Sequence, residues 1–436
     1  MTDLPRDDTG CGWINILPPR GAVNRLRGDV TADAIVLGAG FTGLAAARRL
    51  AELAPDKRVV VVDAQRAGEG SSGRNSGFVV DLSPLPKKTI GPADIESYRR
   101  MHRINTHGIA LLRDAIGAHG IDCDWSETGK YHGAAEERHY DVLRTYAAHM
   151  AQLGIDHAEL DAAALKARLG TAHYTYGVHA RGAVMAQPAA LARGLALSLP
   201  GNVTLLEDSP VEAIDYGPTV RVRGRDGTVT APMILLAANA FTPDLGQMRH
   251  RMMSLTLTGS LTRPLTEAER DALGRPEPWG VLSAHRFGAT VRYTADHRIM
   301  VRNTAEYWPR KAMDAADLDR RKALHVRGFN TRFPMLPEVT FEHTWSGLVC
   351  VSRNLTTAFG RVAPNVFLAA CYNAGGVSKG TALGDALAHL ALGSDMPLLA
   401  DALALAPPAW LPPRPFLDLG ARLDLARRRR DVGAEL

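Results

Sequence analysis

The sequence predicts an α/β fold in which a Rossmann-like domain is interleaved with an α+β domain built on a largely antiparallel sheet. Three observations predict this fold. A strand, a glycine turn and a helix follow one another in Asp33–Leu50, and a second apolar strand occupies Lys57–Gln65. A strand-rich region with Gly and Pro turns covers about 246–343. The first two features are typical of a parallel sheet, and the third predicts antiparallel pairing.

The first turn has the G-x-G-x-x-G spacing, at Gly38, Gly40 and Gly43. The first glycine permits a tight turn, the second lets a pyrophosphate approach the backbone, and the third lets the helix pack closely on the strand. Phosphates would lie at the helix N-terminus, where N–H groups and the helix dipole favour negative charge. We therefore expect Phe41 and Thr42, which begin the helix, to contact the cofactor as well.

A carboxylate stands at the end of the second strand. Asp63 follows Gly38 by 25 positions, where it can accept hydrogen bonds from the ribose hydroxyls of an adenosine. Its neighbours Ala64 and Gln65 belong to the same predicted contact. Strand, helix, strand and acid together predict a bound dinucleotide.

A glycine and serine loop, Gly68–Phe78, follows where an NAD-binding domain normally continues into another helix. Its small residues let backbone amides and the hydroxyls of Ser71 and Ser72 approach a flat cofactor ring or its phosphates. The run Ser72–Gly77 resembles the second flavin motif of the D-amino-acid oxidase superfamily of flavin amine and amino-acid oxidases. The resemblance implies FAD as the cofactor, with further contacts from Arg74, Asn75, Ser76 and Gly77.

Two more segments are similar to this family, and the similarity is closest to its γ-glutamylputrescine oxidoreductase branch. Ser209–Gly217 resembles the segment whose backbone meets the adenine, near Val211, and it leads into the strand Ile234–Pro243. Pro364–Leu387 resembles the strand, loop and helix at the pyrimidine end of the flavin. The cofactor contacts implied by these segments are Ala238, Asn239, Gly375, Gly376, Val377 and Ser378.

Two side chains near these motifs are candidates for flavin chemistry. Lys379 begins the last helix of the flavin domain, where a cation facing the flavin N1 and C2 carbonyl would raise its electron affinity; the alternative is a solvated lysine. Cys350 stands where sarcosine oxidase relatives join a cysteine to the flavin through a thioether. We favour noncovalent FAD with Cys350 as a small buried thiol, and covalent attachment is the alternative.

A predicted hairpin, Arg292–Asn303 with a tight turn at 295–297, would lie over the flavin ring. Tyr293 and Arg302 on this hairpin are candidates for polar contacts with substrate, and the alternative is that both are ordinary sheet residues. Aromatic walls would favour a neutral amine by disfavouring its ammonium form. The candidates for those walls are Phe78, Tyr293, Trp345 and Tyr372.

The resemblance implies an enzyme that oxidises the C–N bond of an amine or amino acid by hydride transfer to flavin N5, after which the imine hydrolyses. A longer amine whose distal acidic group meets Arg302 is the favoured substrate. One alternative is a flavin dehydrogenase of a hydroxyl substrate, of the 2-hydroxy acid or glycerol phosphate type. Another is a non-enzymatic flavoprotein that acts as an assembly factor. The electron acceptor, oxygen or a quinone or carrier, and the oligomeric state stay open.

Length and element order predict two interleaved domains in the 436 residues. The FAD-binding domain comprises 1–95, 160–245 and 345–436, and the substrate domain comprises 96–159 and 246–344. Residues 1–30, rich in Pro and Gly, are expected to lie as an arm over the surface.

Several other function classes have little support. The four cysteines show no C-x-x-C spacing, which favours the cytoplasm, and no export signal or transmembrane segment is indicated. The net charge of +5 includes Arg427–Arg430 on a helical tail, a solvated run that does not indicate nucleic acid. Gly376–Gly380 matches G-x-S-x-G but lacks the context of a hydrolase elbow. No metal-binding spacing occurs.

Overall fold

The computed structural model of the protein describes residues 6, 8–83 and 89–436. The predicted N-terminal arm and first flavin-domain segment fall partly outside these ranges. The α-helices of the described residues are α1 (Gly12–Asn15), α2 (Phe41–Leu53), α3 (Ser71–Arg74), α4 (Pro92–His119), α5 (Tyr140–Leu153), α6 (Ala162–Leu169), α7 (Pro188–Leu197), α8 (Glu267–Leu273), α9 (Ala315–Arg332), α10 (Ser378–Leu392), α11 (Pro397–Leu403) and α12 (Phe416–Arg428).

The strands of the described residues form four sheets. In chain order they are β1 (Gly28–Thr31), β2 (Ala34–Leu37), β3 (Val59–Val62), β4 (Phe78–Val79), β5 (Lys130–Ala134), β6 (His157–Asp161), β7 (Tyr176–Ala180), β8 (Val184–Met185), β9 (Val203–Leu206), β10 (Val211–Asp215), β11 (Val220–Gly224), β12 (Gly227–Ala231), β13 (Ile234–Leu236), β14 (Met253–Thr262), β15 (Trp279–Ser283), β16 (Thr290–Tyr293), β17 (Ile299–Glu306), β18 (Phe341–Val351), β19 (Ala358–Ala363) and β20 (Val366–Ala370).

The Rossmann-like sheet has the order β19-β20-β13-β2-β3-β9, and all its pairs are parallel except β19 with β20. Its central strands β20, β13, β2 and β3 are apolar throughout because both faces are covered. Val36 and Val61 face the core under α2 and α10, whereas Ile35 and Val60 face the core shared with the sheet β1-β12-β11-β10. This two-sided burial explains the uninterrupted apolar runs of β2 and β3.

The second large sheet has the order β18-β14-β17-β16-β15-β5-β7-β6, and every pair except β15 with β5 is antiparallel. The predicted hairpin is present as β16 and β17, closed by the hydrogen bond from Thr294 N to Arg298 O at 3.0 Å. Helix α9 packs against one face of this sheet through Phe329 and Phe333. The other face meets the Rossmann-like half of the molecule, which confirms the predicted fold class.

Some elements do not follow the predicted domain limits. Strand β7 belongs to the eight-stranded sheet although its residues fall in the predicted flavin segment, and α4 packs against α10 although it falls in the predicted substrate segment. Helix α7 begins directly after Gln187, where the sequence indicates a helix start. The Gln187 side chain caps it by accepting a hydrogen bond from Ala190 N at 2.9 Å. We retain the domain division as a proposal.

The N-terminal segment is more deeply packed than an arm on the surface. Trp13 in α1 is 1% exposed and meets Trp345 edge-on, with ring centroids 6.1 Å apart. The guanidinium of Arg292 lies 5.2 Å from the Trp13 ring centroid. Such aromatic and cation–π packing is a contact between distant segments that local composition does not reveal. Within the described ranges, no helix is both long and apolar enough to cross a bilayer.

Candidate active site

A cavity of about 420 Å³ lies between the Rossmann-like sheet and the eight-stranded sheet. Its walls come from the turn between β2 and α2, the end of β3, the loop around α3, strands β14, β17 and β18, and the loop before α10. These elements are far apart in the chain. The carboxyl ends of the parallel strands reach this edge, which is the usual ligand position in such sheets.

The glycine turn at the N-terminus of α2 is closely packed. Gly38 has φ +110°, a conformation that favours glycine. A Cβ on Gly43 would lie 1.7 Å from the Gly38 carbonyl oxygen, so only glycine permits this approach of helix and strand. A Cβ on Gly40 would lie 2.7 Å from Ser72 Oγ. The first glycine motif and the serine loop therefore close on one another around the cavity.

Asp63 fixes the shape of this turn from the end of β3. Its Oδ2 accepts a hydrogen bond from Ala39 N at 2.5 Å, and its Oδ1 accepts one from Gln65 N at 2.8 Å. The carboxylate thus holds both edges of the crevice and also lines the cavity. Carboxylate oxygens accept hydrogen bonds from hydroxyl donors as well as from backbone N–H groups.

The serine loop is held by its own side chains. Ser72 Oγ accepts from Phe41 N at 3.2 Å, and Asn75 donates to Ser72 O at 2.6 Å and accepts from Gly77 N at 2.8 Å. Arg74 is 7% exposed, and its guanidinium donates to Asp8 Oδ1 at 3.1 Å. Arg74 therefore secures the loop to the N-terminal segment.

Most of the predicted site residues line the cavity. They are Gly38, Gly40, Phe41, Thr42, Asp63, Ala64, Gln65, Ser71, Ser72, Arg74, Asn75, Ser76, Val211, Ala238, Asn239, Arg302, Cys350, Gly376 and Val377. The others lie outside its lining: Gly43, Gly77, Tyr293, Gly375, Ser378 and Lys379. Of these, Gly43 and Gly77 permit close backbone packing, and Ser378 donates to Val80 O at 2.6 Å.

Arg302 lies at the cavity wall on β17, half-buried, and donates to the hydroxyl of Thr290 on β16. No carboxylate of the described residues forms an ion pair with it, and burial alone lowers its pKa to about 10. Behind it, burial and the Arg302 cation lower the pKa of His325 to about 3, so this imidazole is neutral at pH 7. Arg302 is therefore a protonated cation that faces the cavity and has no counter-ion among the described residues.

Lys311 and Arg74, which also line the cavity wall, are both paired. Lys311 forms an ion pair with Asp244, and its ammonium lies 4.9 Å from the Phe241 ring centroid. Arg74 pairs with Asp8. Arg302 differs from both because it forms no ion pair with a described residue.

Tyr293 does not reach the cavity, which corrects its predicted role as a substrate contact and aromatic wall. Side chains alternate along a strand, so Tyr293 points to the opposite face from Thr290 and Arg292. Its ring is 1% exposed and lies 6.3 Å from the Trp279 ring centroid in the core under α9. The hydroxyl is bonded to His297 Nδ1 at 3.0 Å. The other predicted wall residues, Phe78, Trp345 and Tyr372, do line the cavity.

Tyr372 and Lys379 occupy the region where α10 begins. The Tyr372 hydroxyl accepts from Thr42 Oγ1 at 2.7 Å and donates to Ala369 O at 2.9 Å. Burial raises the pKa of this phenol, which therefore stays neutral. Lys379 Nζ lies 3.5 Å from Tyr372 O, and burial lowers its pKa to about 8. The buried lysine lies behind the lining, which argues against a solvated side chain.

Cys350 lines the cavity from β18 and is 2% exposed. A hydrogen bond with the neighbouring thiol of Cys371 and burial both raise the pKa of Cys350 well above its usual value. The sulfur is therefore a protonated thiol and a poor nucleophile.

The sequence reasoning missed several cavity residues, including Thr258, Thr290, Asp244 and Lys311. For Thr290, the register of the predicted hairpin was an available signal. Because the predicted turn at 295–297 centres the hairpin on Asp296, it pairs Thr290 with Arg302, as the structure has them. Asp244 and Lys311 carry no comparable local pattern, since their pairing joins segments 67 residues apart.

Comparisons with known proteins agree with this geometry. The sequence model of the family described as FAD dependent oxidoreductase matches residues 33–390. The γ-glutamylputrescine oxidoreductase of Escherichia coli is 28% identical over 378 residues, 84% of this chain and 85% of that protein. Glycine oxidase from Geobacillus kaustophilus superposes with a TM-score of 0.70 at 17% identity, over 84% of this chain and 96% of that one. Iminodiacetate oxidase from Chelativorans superposes with a TM-score of 0.66 at 20% identity, over 85% of this chain and 98% of that one.

Proposed function

This chain belongs to the FAD dependent oxidoreductase (DAO) family, and from that premise we propose that it oxidises the carbon–nitrogen bond of an amine that carries a carboxylate. The family assignment makes it an FAD-dependent enzyme. The choice of an amine with an acidic group rests on one observation above all: the Arg302 cation at the cavity wall forms no ion pair with any described residue. The identity of the E. coli relative, which acts on a γ-glutamyl amine by its name, is consistent with such a substrate.

The residues present fit the cofactor. The backbone of Gly38–Thr42 at the N-terminus of α2 lines the cavity, and Gly40 carries no side chain that would keep a ligand away from it. Asp63 lines the cavity at the end of β3. We propose that these elements hold the phosphates and ribose of FAD, with Val211 near the adenine and the loop Gly375–Val377 near the pyrimidine. When bound, FAD accepts the hydride released from the carbon next to nitrogen.

Arg302 would bind the substrate carboxylate and so orient the chain of the amine. A guanidinium presents a planar fork of donors that matches a carboxylate. In the cavity it has the hydroxyl of Thr290 as a neighbour and no described acidic partner. A buried cation without a counter-ion is costly, and an anionic ligand would relieve that cost. The distance between Arg302 and the reacting carbon would then select substrates by length.

The cavity wall favours an amine over a hydroxyl substrate. Oxidation at a hydroxyl carbon requires a base that takes the O–H proton. Among the described lining residues there is no histidine, Asp244 is paired with Lys311, and Asp63 accepts two backbone N–H groups. An amine that enters neutral needs no such base. The apolar surfaces of Phe78, Trp345 and Tyr372 would favour its neutral form by desolvation.

We propose that FAD is held without a covalent bond. Thioether formation at a cysteine requires a nucleophilic sulfur, and the Cys350 thiol is kept protonated by Cys371 and by burial. All four cysteines are buried free thiols, which is consistent with our proposal of a cytoplasmic location. Recovery of the mature protein in an exported fraction of the cell would contradict that location.

An anaerobic bleaching screen tests the proposed function. We expect the visible absorbance of the oxidised flavin in the purified protein to bleach rapidly when primary or secondary amines that carry a carboxylate are added. The same amines with the carboxylate esterified are the matched control, and they should bleach it more slowly. Rapid bleaching by 2-hydroxy acids but by no amine would show that the substrate is a hydroxyl compound. Bleaching by neither class would contradict the proposed reaction.

Lys379→Met should lower the midpoint potential of the bound flavin, because the buried cation would stabilise the anionic reduced form. The pKa of about 8 means that Lys379 is charged below that pH and neutral above it. The difference between variant and wild type should therefore be largest near pH 7 and shrink above pH 8. Spectroelectrochemical titration measures it, and Lys57→Met, at a lysine side chain 52% exposed, is the control. Equal potentials at pH 7 would exclude this role.

A further inference from the structure

The C-terminal helix and the segment before it expose apolar side chains to solvent. Phe416, Leu419 and Leu423 in α12 are 68%, 61% and 61% exposed, and Trp410 is 54% exposed. We call these four side chains the α12 face. Exposed large apolar side chains that occur singly need no explanation, whereas a cluster of them indicates an interaction surface.

The α12 face is the unpacked side of an anchored helix. Ala421 and Leu425, on the opposite side, are buried against Tyr307, the residue that follows β17. The Tyr307 hydroxyl donates to Asp418 Oδ1 at 2.6 Å and fixes the helix further. The exposed residues at 416, 419 and 423 follow the three- and four-residue spacing of a single helical stripe. The stripe can therefore bind another surface without unfolding the helix.

The charges around this stripe are predominantly positive. Residues 414–431 contain six arginines and three aspartates. Two of the aspartates are paired within the helix region, Asp418 with Arg414 and Asp424 with Arg428. Arg422, Arg427 and Arg430 are exposed. An apolar stripe of Phe and Leu flanked by arginines is the pattern of helices that lie in the interface of a bilayer.

The same charges argue against a second copy of this chain as the occupant. A two-fold interface brings the same patch of both copies together. It would place the arginines of one α12 opposite those of the other, and facing like charges weaken association. Anionic lipid headgroups have the complementary charge, and side chains that protrude from a convex helix can enter a bilayer interface.

We propose that the α12 face binds the surface of an anionic lipid bilayer, with the apolar stripe in the headgroup region and the arginines at the phosphates. The helix lies next to the site. Leu255 of β14 packs against α12, and Leu257, two residues along the same face of that strand, lines the cavity. Binding would therefore bring the cavity close to the membrane. This inference does not depend on the identity of the substrate.

Flotation of the FAD-loaded protein with vesicles tests this proposal. We expect the protein to float with vesicles of phosphatidylglycerol and phosphatidylcholine and to float poorly with phosphatidylcholine alone. Phe416→Ser, Leu419→Ser and Leu423→Ser should each weaken partitioning roughly tenfold, since each removes one apolar side chain from the interface. Arg422→Gln and Arg427→Gln should each weaken it roughly fivefold.

The matched control is Leu197→Ser in α7, because Leu197 is 79% exposed and lies outside this face. It should float like the wild type. Flavin content and circular dichroism confirm that each variant is folded, so a loss of flotation reports the surface alone. Flotation that is absent with both vesicle types, or unchanged in the three serine variants, would overturn the proposal. A dimer in light scattering that dissociates in those variants would instead assign the face to a second copy.

Discussion

Replacing Arg302 with methionine should raise KM for a carboxylate-bearing amine by roughly tenfold to a hundredfold, with a smaller change in kcat. The removed interaction is a charge-assisted hydrogen bond, worth about 1.5–3 kcal/mol. Methionine preserves much of the side-chain volume in a wall that also contains Thr290 and Met300. Because the interaction is made before and during the reaction, its loss appears mainly in binding. Steady-state kinetics with the substrate found in the bleaching screen measures it.

Two controls separate carboxylate binding from general damage to the site. Arg302→Lys retains the charge but not the planar fork, and it should lie between wild type and Arg302→Met. With an esterified substrate, wild type and Arg302→Met should give similar KM values. An equal rise in KM for the acid and the ester would show that Arg302 supports the sheet instead of binding the substrate.

Replacing Asp63 with alanine should raise the dissociation constant of FAD by roughly tenfold to a hundredfold. The change removes the acceptor proposed for the ribose, and it also leaves Ala39 N and Gln65 N without their carboxylate partner. Quenching of flavin fluorescence during titration of the FAD-free protein measures the affinity. Acid precipitation of the wild type should first release free FAD, which is the expected result for noncovalent binding.

Asp33 provides a matched control at the other end of the same sheet. Its carboxylate also accepts a backbone hydrogen bond, from Arg58 N at 2.8 Å, but it is distant from the cavity lining. Asp33→Ala should therefore leave FAD affinity unchanged. If Asp63→Ala binds FAD as tightly as the wild type, the ribose contact is wrong. A yellow pellet after acid precipitation that turns colourless in Cys350→Ser would show covalent attachment.

Local patterns predicted the parts of the site that lie on one continuous segment. The glycine turn and Asp63 could be located because a strand, a turn and a helix impose fixed spacings on glycine and on the acid. The hairpin carrying Arg302 followed from alternation and a turn. In each case the determining interactions lie within a few tens of residues.

The incorrect predictions concern which face of a strand is buried and which distant segments are in contact. Strand direction alone does not show which face is buried, and Tyr293 lies on the face that α9 covers. Arg74 lines the cavity, but its guanidinium is directed to Asp8 across 66 positions of the chain. Trp13 is packed by Trp345, which no local pattern predicts. Such tertiary contacts join segments that are distant in the chain, and local patterns in a single sequence do not specify them.

The bond between Thr42 and Tyr372 has a consequence for biogenesis. It joins residues 330 positions apart, and both line the cavity. During synthesis at roughly 5–20 residues per second, the glycine turn therefore leaves the ribosome well before the loop that completes its pocket. Nascent chains must keep the apolar strand β2 from misassociating until that loop arrives. Because a ligand that binds only the completed pocket shifts folding by mass action, the supply of riboflavin should govern how many new chains escape proteolysis.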